Sequence, residues 1–252
     1  MVENIAALVA ITVVSTLLPF GLLMGMVIKN AEQRVHLVSM AALGVAVYAA
    51  MEWGIKEHGL AWLFNHTNFG TFMANHYIEY LLLVAIAGAV LAVVPVTLFL
   101  GTILKNKVSF SGAIALGIGY TMAESVLLVG YRSIKTIIML VGESDGSLNT
   151  SAGELFMSAY ERILLSVIQI AIFVLLVHFV QQKMILRGSL IAVFCQSFTA
   201  FVPGFLIAFS LKDYYEVYDR KVGLGLTYII LTMAAVTSAV ILYSLRHELK
   251  KR

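Results

Sequence analysis

The sequence predicts an all-α, polytopic membrane helical bundle with about seven transmembrane helices, forming a single transmembrane domain over residues 1–252. Three observations carry that expectation. The chain is 60% hydrophobic and only 12% charged over its 252 residues, whereas soluble domains carry roughly 45–50% apolar and about 25% charged residues. Its mean hydropathy is +0.93. Its apolar residues fall in runs that reach the about 20 residues a helix needs to cross the hydrocarbon. Together these exclude a soluble globular enzyme, a disordered tail and a nucleic-acid binder. Segments of about 10 residues with alternating hydrophobicity, the mark of a membrane β-barrel, are absent. The lone Cys195 excludes an internal disulfide framework and a Cys-rich metal site. Three prolines leave the helices long and mostly uninterrupted.

The spans are expected at 5–28, 35–55, 77–104, 109–131, 153–180, 187–211 and 222–245. The first follows Met1-Val2-Glu3-Asn4, which has no basic region and no clear cleavage site, so it reads as a retained helix and not a removed signal peptide. The second ends with Glu52 beside Trp53. Residues 56–76 mix Trp62, Phe64, Phe69 and Phe72 with His and Asn and read as an interfacial or re-entrant piece. The third span begins at Glu79 and carries Pro95 in its middle. The fourth has small residues at Gly112, Gly117 and Gly119, which suits close helix approach. A polar, flexible loop is expected over 141–152. The fifth holds Glu161, Arg162 and Gln169 and ends at His178, expected at headgroup level. In the sixth, Pro203-Gly204 is expected to break the helix. The seventh ends in the basic tail Arg246–Arg252, read as a topology anchor.

Orientation follows from lysine and arginine, which gather on the cytoplasmic side. With the N-terminus outside, the inner segments hold Lys29, Arg34, Lys105, Lys107, Lys183, Arg187, Arg246, Lys250, Lys251 and Arg252, which is ten. The outer segments hold Lys56, Arg132, Lys135, Lys212, Arg220 and Lys221, which is six. The acids Glu57, Glu143, Asp145, Asp213, Glu216 and Asp219 fall on the outer side. The expectation is therefore a multi-pass protein of the cell membrane, N-terminus outside and C-terminus cytoplasmic. A bacterial or archaeal source is expected, so the glycosylation-like Asn65-His66-Thr67 and Asn149-Thr150-Ser151 carry no weight.

Ionisable groups inside a membrane are expensive, roughly 2.5–3.5 kcal/mol each on insertion scales, and are functional candidates by default. Glu52 and Glu79 fall near the outer interface and are expected to touch water. Glu161 and Arg162 are different. Neighbours on a helix point about 100° apart, so each must find a partner elsewhere. Arg162 and Gln169, seven apart, share a face, as do Tyr120 and Glu124, four apart. Gln196 lies mid-span in the sixth helix. The economical arrangement brings Tyr120, Glu124, Glu161, Arg162, Gln169 and Gln196 into one polar cluster, with Glu124 paired to Arg162. Such a cluster serves either as a structural lock between the fourth and fifth spans or as a site.

The fourth to sixth spans resemble the YhfC-type membrane peptidase family, which is similar to the intramembrane proteases that include the CAAX prenyl protease and PrsW-like enzymes. Gly117-Ile-Gly119-Tyr120-Thr-Met-Ala-Glu124 matches a Gly-x-Gly-His-Gly-Gly-x-Glu motif with Tyr120 at the histidine position. Glu161-Arg162 match the family's Glu-Arg, with Gln169 where it has a histidine. Gln196-Ser-Phe-Thr-Ala-Phe201 stands where the family reads His-Ala-x-x-Asp-Phe. The family's paired glutamates would fall near Ala92–Val96, where no carboxylate stands. Order and spacing agree across nearly the whole chain.

What the resemblance implies is a carboxylate that activates water, with histidines that bind metal or steady an oxyanion. Three good ligands are the minimum for a metal, and glutamine amides are neither good zinc ligands nor general bases. The expected function is accordingly a non-catalytic pseudoenzyme, with no metal and no cofactor. It would bind a partner helix, peptide or lipid, as part of a membrane assembly. The partners expected are the lipid bilayer and a membrane protein or single-span helix. An active protease using Glu124 or Glu161, with Gln169 or Gln196 as oxyanion donors, is the alternative. A small-solute transporter with Glu124 as proton relay is a second, weakened by the lack of an inverted repeat. A retinal protein is excluded, because residues 222–245 contain no lysine.

Overall fold

A computed structural model describes residues 2–104, 108–131, 152–211 and 217–250. All regular structure among the described residues is helical. Seven helical stretches are long and apolar enough to cross a membrane: Val9–Lys29, Ala31–His66, Tyr77–Leu104, Phe110–Leu128, Phe156–Gln181, Ile185–Ala208 and Arg220–Arg246. These are the seven predicted spans with shifted ends. Of the sequence features read above, residues 141–151, Asn149-Thr150-Ser151 and the charges Lys105, Lys107, Arg132, Lys135, Glu143, Asp145, Lys212, Asp213, Glu216, Lys251 and Arg252 lie outside the described residues.

Helix α1 (Val2–Lys29) stops at Asn30, whose side-chain amide turns back to donate to the Met26 carbonyl at 2.8 Å. One 3₁₀ turn, Ala31–Gln33, reverses the chain into α2 (Arg34–Val47). Here the largest correction to the sequence reading arises. The second span does not end at residue 55. It continues through a π-helical stretch, Tyr48–Glu57, into α3 (His58–His66). No proline interrupts it, and it ends at Thr67, where the backbone becomes extended and the hydroxyl donates to the Leu63 carbonyl at 2.6 Å. Only the remainder of the 56–76 piece is separate, as the short α4 (Phe69–Asn75). No residue of α3 or α4 is buried. Phe64, Phe69 and Tyr80 meet edge to face, with Phe69 against Phe64 at 5.3 Å and Tyr80 at 5.7 Å, so this aromatic group caps the start of α5 (Tyr77–Phe99).

Helix α6 (Phe110–Glu124) begins at Ser109, whose hydroxyl accepts from the Gly112 amide at 3.0 Å. That satisfies one of the donors a helix start leaves open. A π-helical stretch, Ser125–Gly130, follows Glu124 directly. The remaining helices are α7 (Ala152–Gln181), α8 (Ile185–Ala208) and α9 (Arg220–Lys250). Pro203 lies inside α8, so Pro203-Gly204 does not break it. Within a bilayer no water competes for the remaining backbone bonds, and a helix tolerates the loss of one. Pro95 likewise sits inside α5, with the π-helical Leu100–Leu104 one turn beyond.

Helix α6 is the axis of the bundle, packed against α1, α2 and α7. From Gly112 to Ala123 nearly every residue is buried. Its glycines make that possible. A methyl group on Gly119 would run into the backbone of Ala41, and one on Gly117 would meet the Ile170 Cα. Gly44 of α2 returns the relation, facing the backbone of Leu116 and Tyr120. Small residues thus bring helix backbones together where apolar burial gives no net drive, since lipid is as apolar as leucine. His178, in the last turn of α7, is buried against its neighbours and takes a hydrogen bond from the Gln182 amide at 2.8 Å.

Candidate functional site

The predicted polar cluster forms. Arg162 on α7 donates to Oε1 of Glu124 on α6 at 2.9 Å. Gln169, seven residues along the same face of α7, donates through Nε2 to the other carboxylate oxygen at 2.6 Å. Both oxygens of Glu124 are therefore engaged by one helix. The side chains are 15% exposed for Glu124 and 22% for Arg162, so the pair is screened from the bilayer without being sealed. Ser166, one turn after Arg162, donates to the Arg162 carbonyl at 2.8 Å.

Glu124, Arg162 and Gln169 wall a cavity of about 330 Å³. Glu161, Gln196 and Tyr120 also line it. The Tyr120 ring is held edge-on by Tyr48 at 5.1 Å and tilted against Phe173 at 5.0 Å. All six sequence-predicted site residues thus reach one space. Only Glu124, Arg162 and Gln169 bond to one another. Glu161 makes no hydrogen bond or ion pair among the described residues, and the Gln196 carbonyl oxygen is buried without a partner.

Sequence reasoning missed one wall. Glu52, expected to sit in water, is 7% exposed and lines the cavity together with Tyr48, Lys56 and Glu57. Its carboxylate accepts from the Lys56 ammonium at 2.5 Å. With helix continuing past residue 55, Glu52 stands within the second span and faces the bundle. A signal was present, because Glu52 and Lys56 stand at the i, i+4 spacing of a helical ion pair. Gly88 on α5 leaves room for it, since a Cβ there would meet the Lys56 Nζ at 2.9 Å and Glu52 Oε1 at 3.2 Å. Glu79, by contrast, is exposed, with a 3.8 Å approach from His76. The region around Ala92, Val93 and Val96, where the resemblance sought paired glutamates, is closed apolar core.

The position of the cavity follows from the register of its walls. Glu52 lies late in the second span and Ala85 early in the third. Glu124 lies late in the fourth, Glu161 early in the fifth and Pro203 late in the sixth. The cavity therefore occupies the end of the bundle that carries α4. Two π-helical stretches flank it, 48–57 and 125–130, a feature frequent at functional sites. Among the described residues no group of three His, Cys, Asp or Glu side chains converges to hold a metal ion.

Chemically the arrangement can bind polar groups and exchange hydrogen bonds. An ionised carboxylate has about four acceptor sites, and in Glu124 Arg162 and Gln169 take two of them, one on each oxygen. Comparison of the chain with protein-family models, with curated proteins and with solved structures finds no match.

Proposed function

We propose that this chain is a non-catalytic, multi-pass protein of the cell membrane, similar in scaffold to the YhfC-type peptidases, that holds a membrane partner or lipid at its polar cavity without cutting it. In this reading the N-terminus is outside and the C-terminus cytoplasmic, so the cavity faces the outer half of the bilayer. The observation that carries it is the double engagement of Glu124 by Arg162 and Gln169. The residue that the resemblance assigns to catalysis serves here as the hub of a structural network, and the histidine positions hold Tyr120, Gln169 and Gln196.

One observation favours a second reading. Glu161 lines the cavity with a carboxylate that meets no donor among the described residues, and Gln196 lines the same cavity. An active protease would use Glu161 as base and an amide as oxyanion donor. Mild-detergent affinity purification with mass spectrometry separates the two, run on wild type, Glu124→Gln and Glu161→Gln. The expected result is a full-length partner in all three samples. A partner recovered as fragments with wild type, and whole only with Glu161→Gln, would overturn the proposal in favour of proteolysis.

A further inference from the structure

We infer that the cavity is a binding site for an ammonium group, carried by a small amine or by the headgroup of an aminolipid, with Glu161 as its counter-ion. The inference rests on reading the cavity as a binding site and adds the chemistry of what enters it.

Charge gives the first argument. Four carboxylates line the cavity, Glu52, Glu57, Glu124 and Glu161, against two cations, Lys56 and Arg162. The two ion pairs, Glu52–Lys56 and Glu124–Arg162, use up both cations. Glu57 is exposed at the rim. Glu161 is left inside the bundle with no ion pair among the described residues, and ionisable groups within spans are found paired or facing a polar cavity.

Hydrogen-bonding capacity gives the second, independent argument. The buried polar atoms of the cavity wall that lack a partner are both acceptors, the carbonyl oxygens of Gln169 and Gln196. Gln169 is 6% exposed, and its orientation is fixed because its amide nitrogen donates to Glu124. A buried acceptor without a donor is costly to leave unmade. An ammonium group carries three donors and no acceptor. It supplies both a counter-charge for Glu161 and donors for such oxygens, whereas an anion or a carbonyl ligand supplies neither.

Size gives the third. At about 330 Å³ the cavity sits at the lower end of the roughly 300–1,000 Å³ typical of small-molecule sites. That admits a headgroup or a small amine. Leu81, Val84 and Leu165 on its walls suit the carbon stem such a group carries.

The test uses the full chain in maltoside micelles. Thermal shift is titrated with n-butylammonium, with butanol as neutral isostere and butyrate as anionic control. Native mass spectrometry in parallel compares retention of phosphatidylethanolamine and phosphatidylglycerol. The expected result is half-saturation by butylammonium at a concentration about tenfold below that of butanol, with no shift from butyrate. Retention of the ethanolamine lipid over the glycerol lipid identifies a lipid source, and a shift with butylammonium without lipid retention identifies a free amine. Glu161→Gln should abolish the preference, and Gln196→Met should weaken it roughly threefold.

Equal response to amine, alcohol and acid overturns the inference, as does an amine preference that survives Glu161→Gln. The wild-type charge series needs no variant to fold. Because it reads binding and not cleavage, its failure is distinct from the appearance of fragments that would overturn the proposed function.

Discussion

Arg162 reaches across from α7 to Glu124 with both side chains mostly buried, and that makes the pair sensitive to which partner is removed. Taking away one member of a buried pair leaves a charge without compensation, at a cost of about 3 kcal/mol or more. Arg162→Met should therefore lower the unfolding free energy in an SDS titration by roughly 3 kcal/mol. Glu124→Gln should lower it less, because an amide oxygen still accepts from Arg162 or Gln169. The double variant should fall short of the sum, since the second change removes the stranded charge. Additive losses would show that the two side chains do not depend on each other. This pairing was legible beforehand, because Arg162 within a span needs a carboxylate and Glu124 is the one the neighbouring span offers. Glu52 was not, because its depth depends on where the second helix ends. Nothing local to Glu52 marks that end, which lies fifteen residues on at Thr67.

At the scale of elements, the seven spans were legible from apolar run length, and the small-residue face of α6 from Gly112, Gly117 and Gly119. What α6 packs against was not, since a glycine announces close approach without naming the approaching helix. The structure pairs Gly119 with Ala41 and Gly44 with the backbone of Leu116 and Tyr120, so α2 and α6 meet backbone to backbone. Backbone atoms cannot swing aside as side-chain ends can. Gly119→Ala and Gly44→Ala should each destabilise by about 1–3 kcal/mol, the range for overpacking a filled interior. Gly21→Ala and Gly25→Ala, where a methyl meets nothing within 4 Å, should lose nothing, because alanine is the better helix former. Melting of the four purified variants, followed by circular dichroism, checks the contrast. The π-helical stretches were beyond sequence reasoning, since their hydrogen-bond shift leaves the apolar pattern of a span unchanged. They nonetheless help place Tyr48, Glu52 and Lys56 on one wall.

For the whole molecule, the open question is which face of the membrane the cavity serves, and seven spans tie that to the fate of the termini. Among the described residues, one end of the bundle carries Lys29, Arg34, Lys183, Arg187, Arg246 and Lys250, and the other carries Lys56, Arg220 and Lys221. Six against three repeats the imbalance of the full sequence. It is sharper than the count suggests, because Lys56 is held by Glu52 and is not a free loop charge. Positive charge resists translocation, so the end with α4 should be outside. In a Cys195→Ser background, Asn68→Cys should label with a membrane-impermeant maleimide in intact cells, whereas Gln33→Cys should label only after permeabilisation. Both positions are exposed, so neither result depends on unfolding. The reverse pattern would turn the cavity toward the cytoplasm. The amine site argued from Glu161 and the two glutamines would then stand unchanged, since it depends on the walls of the cavity and not on their orientation, but its ligand would have to come from the inner leaflet or the cytosol.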